Sequence, residues 1–470
     1  MLGRAVAVAA VFASHWTSAL VAVGAGRKRT VSARQAAAVN VVAPYWRRGV
    51  RGRVAPASAN ADGADGADDA AATAVVAAAP APKKKVLVLM SDTGGGHRAS
   101  AQALVNALDV LFPGRVECDI VDIWTDHASW PYNNFVKYYA FVAKRPLLWR
   151  LLWFYAGFPV TRRIQELTAS WQCFNRFKRC IAASKPDLVV SVHPLCQHIP
   201  LKVLKRLGKE RGAARTPFAT VVTDLGGAHP TWFHREADLC FVPSDNVRAL
   251  ATKAGLAEEQ LRQHGLPLRS GFWQPEPRSK AELRSELGMK PSSAATPMAL
   301  VVGGGDGVGG LSKVAVAIGE ELGAAGSPAT LAVICGKNAQ AQAALQAYPW
   351  QPNLDVKIAG FVSNMHEWMA ASDVLVTKAG PGTIAEACTR GLPCLLSSFL
   401  PGQEAGNVRF VQQNGFGLFK RRPKAIAATI RSWFGDAGKL AELRTNALGC
   451  ARPKATTDIA AELGDLLFAI

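Results

Sequence analysis

One turn of this chain combines the residue types that ligand binding and proton transfer require. Three consecutive glycines, Gly94 to Gly96, stand directly before His97 in the run MSDTGGGHRAS. Glycines let a backbone approach a ligand closely, and a helix that begins beside them offers unpaired N–H groups to an anion. Histidine is the side chain that exchanges a proton near neutral pH. From the spacing alone, a tight turn with His97 only capping the helix explains the pattern equally well.

This turn joins a predicted strand to a predicted helix. Val86 to Met90 form a short apolar run typical of a buried parallel strand, and Arg98 to Leu111 carry apolar residues at helical spacing. Ser91 to His97 are therefore predicted to be the strand-to-helix turn. Open α/β sheets bind their ligands at such turns, at the carboxyl ends of the strands.

Polar side chains recur where predicted strands of the first half of the chain end. They are His97, His193, Asp224 and His229. His193 follows the predicted strand Pro186 to Val192, and Asp224 follows the predicted strand Phe218 to Thr223. A single histidine of this kind is usually a structural residue, but several at one edge of a sheet predict an acceptor cleft. A metal site formed with His234 is disfavoured, because the histidines lack a regular spacing.

A second glycine-rich turn, Gly303 to Gly310, follows the predicted strand Met298 to Val302. It matches G-x-G-x-x-G, which alone suggests a dinucleotide fold. The next strand, Thr330 to Cys335, ends in Gly336 and Lys337 without the acidic residue that would hold an adenosine ribose. The sequence also lacks a G-x-x-x-x-G-K-[ST] motif, so the turn is interpreted as a phosphate cradle of another kind.

A third turn, KAGPGTIAEA, begins at Lys378 after the predicted strand Val374 to Thr377. Thr383 and Glu386 have the spacing of a capping box, so on spacing alone a helix cap is the preferred interpretation of Glu386. Phe399 to Asn407 form a further polar turn before a helix.

The segment Trp124 to Arg163 contains twelve aromatic residues interleaved with six cations. Aromatic rings with a polar edge favour the lipid headgroup layer, so the segment is predicted to lie on a membrane, with Trp149 and Trp153 inserted. Its three prolines argue against a helix that spans the bilayer. The alternative is an aromatic packing layer inside the domain.

About half of the formal net charge of +19 belongs to the N-terminus, where residues 1–61 hold nine Arg and Lys and no Asp or Glu. Such a segment is typical of an organelle transit peptide. The alternative is a secretory h-region or a membrane span over residues 5–24, but residues 14–18 interrupt the apolar run too early for a span. Residues 61–82 read as a low-complexity linker, and the scattered cysteines predict neither a disulfide framework nor a structural metal.

The predicted fold class is α/β, with two Rossmann-like domains facing a central cleft. The predicted parts are the leader and linker over 1–82, an acceptor and membrane-binding domain over 83–275, a donor-binding domain over 276–450 and a C-terminal helix over 451–470. A Pro- and Gly-rich stretch, His264 to Pro277, is the predicted hinge.

Six motifs occur in order between Met90 and Asn407: MSDTGGGHRAS, SVHPL, TDLGGAHPTWFH, GFVSNMHEWM, TKAGPGTIAEA and PGQEAGN. In this order they resemble the plant and algal monogalactosyldiacylglycerol synthases, which have the glycosyltransferase architecture called GT-B. The resemblance covers nearly everything after Lys83.

Matched motif by motif, the resemblance implies roles for individual residues. His97 would be the general base, and Asp92 would orient it or act in its place. Pro131, His193 and Trp232 would belong to the lipid acceptor side. The donor-binding residues would be Gly96, Arg269, Gly303, Gly304, Gly305, Phe361, Val362, Lys378, Ala379, Gly380, Pro381, Gly382, Thr383, Glu386, Gln403, Glu404 and Asn407.

The implied reaction transfers galactose from UDP-galactose to the sn-3 hydroxyl of 1,2-diacylglycerol, with inversion, and makes a thylakoid galactolipid. Helix dipoles and backbone N–H groups can neutralise the diphosphate, so neither a metal nor a cofactor is expected. The implied partners are anionic lipid (phosphatidylglycerol) and a second copy of the chain as a homodimer, without nucleic acid. The implied location is the chloroplast envelope membrane, as a peripheral or monotopic protein.

This sequence departs from the family pattern at Gly226-Gly227-Ala228, where more polar residues are expected, and at Asp306, where Glu is common. One alternative function is a UDP-sugar transferase of the same fold that acts on a polyprenyl or sterol acceptor. Another is a non-catalytic peripheral protein that binds anionic lipid and a nucleotide.

Overall fold

The structure is a computed structural model that describes residues 82–143, 145–293, 295–303 and 310–469. The predicted transit peptide and all of the linker before residue 82 lie outside the described residues, and so do Gly304 and Gly305. All nine cysteines lie within the described residues, and none forms a disulfide.

The first half of the described chain forms a sheet of six parallel strands in the order β2-β1-β3-β4-β5-β6. Its strands are β1 Lys84–Met90, β2 Val116–Asp122, β3 Leu188–Ser191, β4 Phe218–Val221, β5 Leu239–Val242 and β6 Leu261–Gln263. Its helices are α1 Gly95–Leu111, α2 Ile123–His127, α3 Phe135–Ala143, α4 Pro146–Gly157, α5 Pro159–Ser184, α6 His198–Arg211 and α7 Asp245–Lys253.

The second half forms another six-stranded parallel sheet, in the order β12-β11-β10-β7-β8-β9. Its strands are β7 Met298–Val302, β8 Ala329–Ile334, β9 Leu354–Ala359, β10 Val374–Lys378, β11 Cys394–Ser398 and β12 Gly417–Phe419. Its helices are α8 Lys280–Glu286, α9 Leu311–Ala324, α10 Ala339–Gln346, α11 Met365–Ala371, α12 Pro381–Thr389, α13 Ala405–Gln413, α14 Pro423–Phe434 and α15 Ala437–Gly449. The predicted α/β class with two parallel sheets is confirmed.

The inner strands of the first sheet, β1, β3, β4 and β5, are buried on both faces, which is why they are largely apolar in sequence. Alternate residues of β1 point to opposite faces. Val86, Val88 and Met90 belong to one core cluster, which includes residues of α1. Leu87 and Leu89 belong to another, which includes residues of α5 and α6. A change of register by one residue would exchange these two sets, so the strand position is strongly specified.

The chain ends in helix α16, Ala455–Phe468, which returns to the first half of the chain. Its buried residues Ile459, Leu463 and Leu467 belong to the same core cluster as Val86 and Val88. Although the last helix follows the second sheet in sequence, it packs on the first. The two halves are therefore joined twice, once by the segment after β6 and once by α16.

The strand order determines which loops meet. In the first sheet β1 lies between β2 and β3, and in the second sheet β7 lies between β10 and β8. The connections leave in opposite directions at these positions, which opens a crevice beside the carboxyl ends of the strands. The turns after β1, β3 and β4 therefore share one edge, and the turns after β7, β10 and β11 share another.

Candidate active site

His97 is the third residue of α1, because the helix begins inside the glycine run at Gly95 rather than after it. The sequence analysis placed His97 in the strand-to-helix turn, before the helix. The structure corrects this, because His97 already lies within the first turn of the helix. Gly94 has a φ of 87°, a left-handed conformation that favours glycine. The turn therefore needs glycine at this position, and it brings a buried His97 to the sheet edge.

Two groups from neighbouring strands fix the His97 ring. Nδ1 lies 2.9 Å from the carbonyl oxygen of Val192 and 3.0 Å from the hydroxyl oxygen of Thr223. A carbonyl oxygen can only accept, so Nδ1 carries the proton and donates it to this bond. The neutral ring then keeps a lone pair on Nε2, which makes no hydrogen bond within the described residues. This is the tautomer that a general base requires.

Burial lowers the pKa of His97 to about 4, although the Val192 carbonyl and the charge of Asp92 oppose the shift. Removing an imidazolium from water costs free energy, so the neutral form is favoured. The ring packs edge-on against His193, with 4.6 Å between the ring centroids, and lies 6.0 Å from the ring of Trp232. His97 is thus held neutral at physiological pH.

His193 has both ring nitrogens in protein contacts. Its Nδ1 accepts from the backbone N–H of Leu195, so Nε2 carries the proton and donates to the hydroxyl of Thr93 at 2.8 Å. Burial lowers the pKa of His193 well below its usual value. The ring therefore packs beside His97 as a neutral group with no nitrogen left for an acceptor.

Asp92 does not orient His97. Arg98 donates to both carboxylate oxygens of Asp92, at 2.8 Å and 2.6 Å. The orienting bonds to the imidazole come from Val192 and Thr223, which the sequence analysis did not select as site residues. The suggestion that Asp92 orients the ring is therefore wrong for this structure.

Asp224, at the end of β4, is a further buried carboxyl beside this cluster. The indole N–H of Trp232 donates to it at 2.7 Å, and the side chain of Gln403 forms a second hydrogen bond with it. Burial raises the pKa of Asp224 to about 7, and the nearby charge of Glu404 acts in the same direction. Trp232 itself is fully buried, and its hydrogen bond holds the Asp224 carboxyl in place.

The second sheet supplies a recess at its own carboxyl edge, and the residues that line it come from β7, α9, β10 and β11. Gly303, Lys378 and Ser397 are its lining residues nearest the strand ends. Ser397 was not expected from the sequence, since only the strand order places it beside Gly303. Lys378 forms an ion pair with Glu404, which also accepts from the backbone N–H of Leu400.

Helix α12 begins at Pro381, with Gly380 as its N-cap and no side chain capping it. Thr383 therefore lies inside the helix, and the capping box expected from its spacing to Glu386 does not form. That preferred interpretation of Glu386 is wrong. The guanidinium of Arg269 donates to Oε1 of Glu386 at 3.1 Å and 2.7 Å.

Burial raises the pKa of Glu386, while the cation of Arg269 lowers it. The pair joins the segment after β6 to the first turns of α12. Two predicted donor residues, Arg269 and Glu386, are thereby brought together.

Asn407 joins the two halves of the molecule. Its Oδ1 accepts from the backbone N–H of Gly226 at 2.8 Å, and its Nδ2 donates to the carbonyl of Ala379 at 2.9 Å. The backbones of Gly226 and Gly406 touch here, since a Cβ on Gly226 would lie 2.2 Å from the Gly406 oxygen. We call these contacts between residues 224–226 and 403–407 the seam.

Three other predicted site residues lie apart from these clusters. Phe361 is 71% exposed and follows β9 with the partly buried Val362. Pro131 precedes a short 3₁₀ helix whose Tyr132 packs on Trp124. No hydrogen bond connects any of the three to His97 or Glu386 within the described residues.

The aromatic segment has a buried side and an exposed side. Trp149 is buried against Tyr139, so the expectation that it is inserted is wrong, and the partly buried Trp153 packs on His229. The exposed apolar residues are instead Trp130, Phe141, Leu147, Leu148, Leu151, Phe154, Phe158, Val160, Ile164, Leu167 and Trp171. We call this set the apolar face; it extends beyond Arg163 into α5. No helix among the described residues has the length and apolar character needed to cross a membrane.

Comparison with known proteins shows which family this chain resembles in sequence. The family model for monogalactosyldiacylglycerol (MGDG) synthase matches residues 97–268, and the model for the glycosyltransferase family 28 C-terminal domain matches residues 298–415. Monogalactosyldiacylglycerol synthase 1, chloroplastic, from Arabidopsis thaliana is 40% identical over 388 residues, covering 82% of this chain and 71% of its own. The Spinacia oleracea enzyme of this name is 41% identical over 392 residues, covering 83% and 73%.

Solved structures share the fold at low identity. The crystal structure of Acinetobacter baumannii MurG superposes with a TM-score of 0.52 at 16% identity, covering 82% of this chain and 100% of its own. The kitacinnamycin glycotransferase superposes with a TM-score of 0.50 at 14% identity, covering 82% and 99%. Both similarities concern the architecture. The family follows from the sequence matches over both halves: the chain belongs to the monogalactosyldiacylglycerol synthases.

Proposed function

We propose that this enzyme transfers galactose from UDP-galactose to the sn-3 hydroxyl of 1,2-diacylglycerol and so makes monogalactosyldiacylglycerol. The observation that carries the proposal is the state of His97. Its Nδ1–H donates a hydrogen bond to the Val192 carbonyl, and its Nε2 lone pair has no protein partner within the described residues. A neutral imidazole of this kind is suited to take a proton from an alcohol.

In the proposed reaction Nε2 of His97 accepts the hydroxyl proton as the diacylglycerol oxygen attacks the anomeric carbon of galactose. The new C–O bond forms as the bond from that carbon to the UDP oxygen breaks, and UDP leaves with the electron pair. Attack from the face opposite the leaving group inverts the configuration. Catalysis then depends on placing the hydroxyl oxygen in line with the anomeric carbon and the UDP oxygen, with its proton directed at Nε2 of His97.

The donor would bind at the edge of the second sheet. Lys378 lies in the recess beside Gly303, and the uncapped start of α12 at Gly380 presents backbone N–H groups. These groups would stabilise the negative charge on departing UDP. Glu386 and Gln403 would contact the galactose hydroxyls. The seam places this edge beside the His97 cluster, because Asp224 contacts Gln403 and follows Thr223 directly.

The acceptor is a lipid, and the apolar face offers a route to it. Leu147 is 78% exposed, Phe154 62% and Trp171 83%, which is unusual for large apolar side chains. Arg145 and Arg150 lie over the rings of Phe141 and Phe154. Apolar insertion and cationic attraction together favour peripheral docking on an anionic bilayer.

The relatives are named chloroplastic. The membrane on which this chain is proposed to dock is therefore the chloroplast envelope membrane. Phosphatidylglycerol is the proposed anionic lipid. A homodimer is a further proposal, which follows from the family resemblance.

A turnover assay tests the proposal and its rivals together. The purified chain is incubated with labelled UDP-galactose and either diacylglycerol, a polyprenyl phosphate or a sterol in mixed vesicles. We expect a galactolipid only with diacylglycerol, and little product when UDP-glucose replaces UDP-galactose. Product with another acceptor would favour a different transferase of this fold. Vesicle binding without any product would favour a non-catalytic lipid-binding protein.

A further inference from the structure

Helix α4 has two faces with different environments. Leu147, Leu151 and Phe154 recur at helical spacing on its outer side and are exposed. Trp149, which is buried, and Trp153, which is partly buried, are four residues apart and contact Tyr139 and His229 on the other side. The first set belongs to the apolar face that would enter a bilayer, and the second set packs against other parts of the protein. One short helix therefore connects the proposed membrane surface with the interior.

Trp153 reaches both halves of the molecule. Its ring lies edge-on to the ring of His229, with 4.7 Å between the centroids. The same ring covers Gly402, because a Cβ on that glycine would lie 2.7 Å from Trp153 Cδ1. Gly402 also has a φ of 90°, so both its conformation and its contact with the tryptophan favour glycine.

Gly402 belongs to the turn that carries the proposed donor residues Gln403 and Glu404. The carboxylate of Glu404 accepts from Lys378 and from the backbone N–H of Leu400. Gln403 forms a hydrogen bond with Asp224. Its Oε1 is buried without a partner in the described residues, which leaves an acceptor available for a sugar hydroxyl. A shift of Gly402 would move these groups together.

We propose that Trp153 is a positioning residue that couples docking of helix α4 on a lipid bilayer to the arrangement of the donor-binding turn. The inference rests on the proposed function, because it assigns the donor to this turn. Docking fixes α4 through Leu147, Leu151 and Phe154, and Trp153 transmits that constraint to Gly402. Donor binding is then strongest when the enzyme is already on the membrane that holds its acceptor.

Coupling of this kind is reciprocal. If vesicle binding raises the affinity for UDP by some factor, UDP must raise the affinity for vesicles by the same factor. A residue that only stabilises the fold would lower both affinities without removing the ratio. The ratio is therefore the quantity that distinguishes positioning from a structural role.

The experiment measures binding of UDP to the full chain with and without vesicles of phosphatidylcholine and phosphatidylglycerol. In the unmodified protein we expect vesicles to tighten UDP binding by about fivefold or more. Trp153→Ala should keep vesicle binding within about twofold, since its side chain is not on the apolar face, and should lose most of that gain. Trp153→Phe should restore part of it, because a ring again covers Gly402.

Phe154→Ala is the matched control from the next position. It should weaken vesicle binding by at least about threefold, because an exposed ring is lost from the apolar face, and leave UDP binding without vesicles unchanged. The proposal is overturned if the unmodified protein shows no gain, if Trp153→Ala keeps the gain, or if it loses vesicle binding as strongly as Phe154→Ala.

These readouts need no turnover. A chain that shows the coupling but does not galactosylate diacylglycerol would contradict the proposed function alone. A chain that makes the galactolipid without the coupling would contradict this inference alone.

Discussion

The pKa values of His97 and of the neighbouring Asp224 are shifted from their ordinary values in opposite directions. Burial lowers the pKa of His97 to about 4 and raises the pKa of Asp224 to about 7. Opposite shifts of this kind are typical of sites that carry out acid–base chemistry. The proposed base, His97, is therefore neutral across the physiological range, and the group expected to titrate there is the carboxyl of Asp224.

The pH dependence of kcat/KM should follow Asp224. Two groups donate to its carboxyl, the Trp232 indole N–H and the Gln403 amide, so the ionised form holds both. Activity should fall as the pH falls through about 7, while protonation of His97 contributes only near pH 4. Asp224→Asn should remove the fall in kcat/KM near pH 7. If the fall persists in that variant, another group is responsible.

Glu386 is expected to act on the donor and not only on Arg269. Glu386→Gln keeps the shape but loses the carboxylate, so turnover should fall by at least about tenfold, or about 1.4 kcal/mol of transition-state stabilisation. The free energy of unfolding should change by about 1 kcal/mol or less, because Arg269 is 40% exposed and its ion pair is screened by water.

Steady-state kinetics and urea unfolding of Glu386→Gln, Arg269→Gln and the double variant separate the two roles. If the double variant is no slower than Arg269→Gln alone, Glu386 serves only to hold the arginine.

At the scale of elements, the seam is where the start of α13, the turn before it and the loop after β4 fix the relative position of the two sheet edges. Gly226 and Gly406 touch through their backbones, and Asn407 bridges them to the turn after β10. A closure step that assembles the site from two domains needs contacts of this type.

Gly226→Ala should disrupt the seam. Its Cβ would lie 2.2 Å from the Gly406 oxygen, so the two halves must separate. We expect turnover to fall by about tenfold or more and the KM for both substrates to rise, with each sheet still folded by circular dichroism. Gly227→Ala is the control, because its Cβ would meet nothing within 4 Å. Equal activity of the two variants would mean that the seam is not needed for catalysis.

The elements themselves were largely predictable, because buried parallel strands read as apolar runs and polar turns mark their ends. The partners of His97 were not. Val192 lies 95 residues away and Thr223 126 residues away, and only the order β1-β3-β4 brings them together. A carbonyl partner also leaves no signal in residue type. The sequence could not show which side of α4 is exposed and which is packed, since both sides are apolar.

At the scale of the whole molecule, three histidines, His97, His193 and His229, are buried in the neutral state, and a fourth, His198, is partly buried. Burial lowers the pKa of His97, His198 and His229 to about 4 and that of His193 well below its usual value. In the unfolded chain they titrate near 6.5. Between those values the unfolded state binds more protons, so stability present above pH 6.5 is lost as the pH falls.

Urea unfolding between pH 7.5 and 5.5 should show this loss as a decrease of at least about 2 kcal/mol in the free energy of unfolding. Asp224 acts in the opposite direction, because its raised pKa makes the folded state bind a proton that the unfolded state binds only near pH 4. Asp224→Asn should therefore make the decrease steeper. An unfolding free energy that stays constant or rises on acidification would contradict the neutral burial of these histidines.

The most direct test of the account compares His97→Ala with Asp92→Asn in the galactolipid assay. Loss of a general base costs about 10² to 10⁴ in rate, so His97→Ala should fall by that factor. It should still bind UDP, whose proposed contacts lie at the second sheet. Asp92→Asn should keep most of the activity, because Asp92 pairs with Arg98 and not with the imidazole. A His97→Ala enzyme that retains more than about a tenth of the rate, beside an inactive Asp92→Asn enzyme, would show that His97 is not the base.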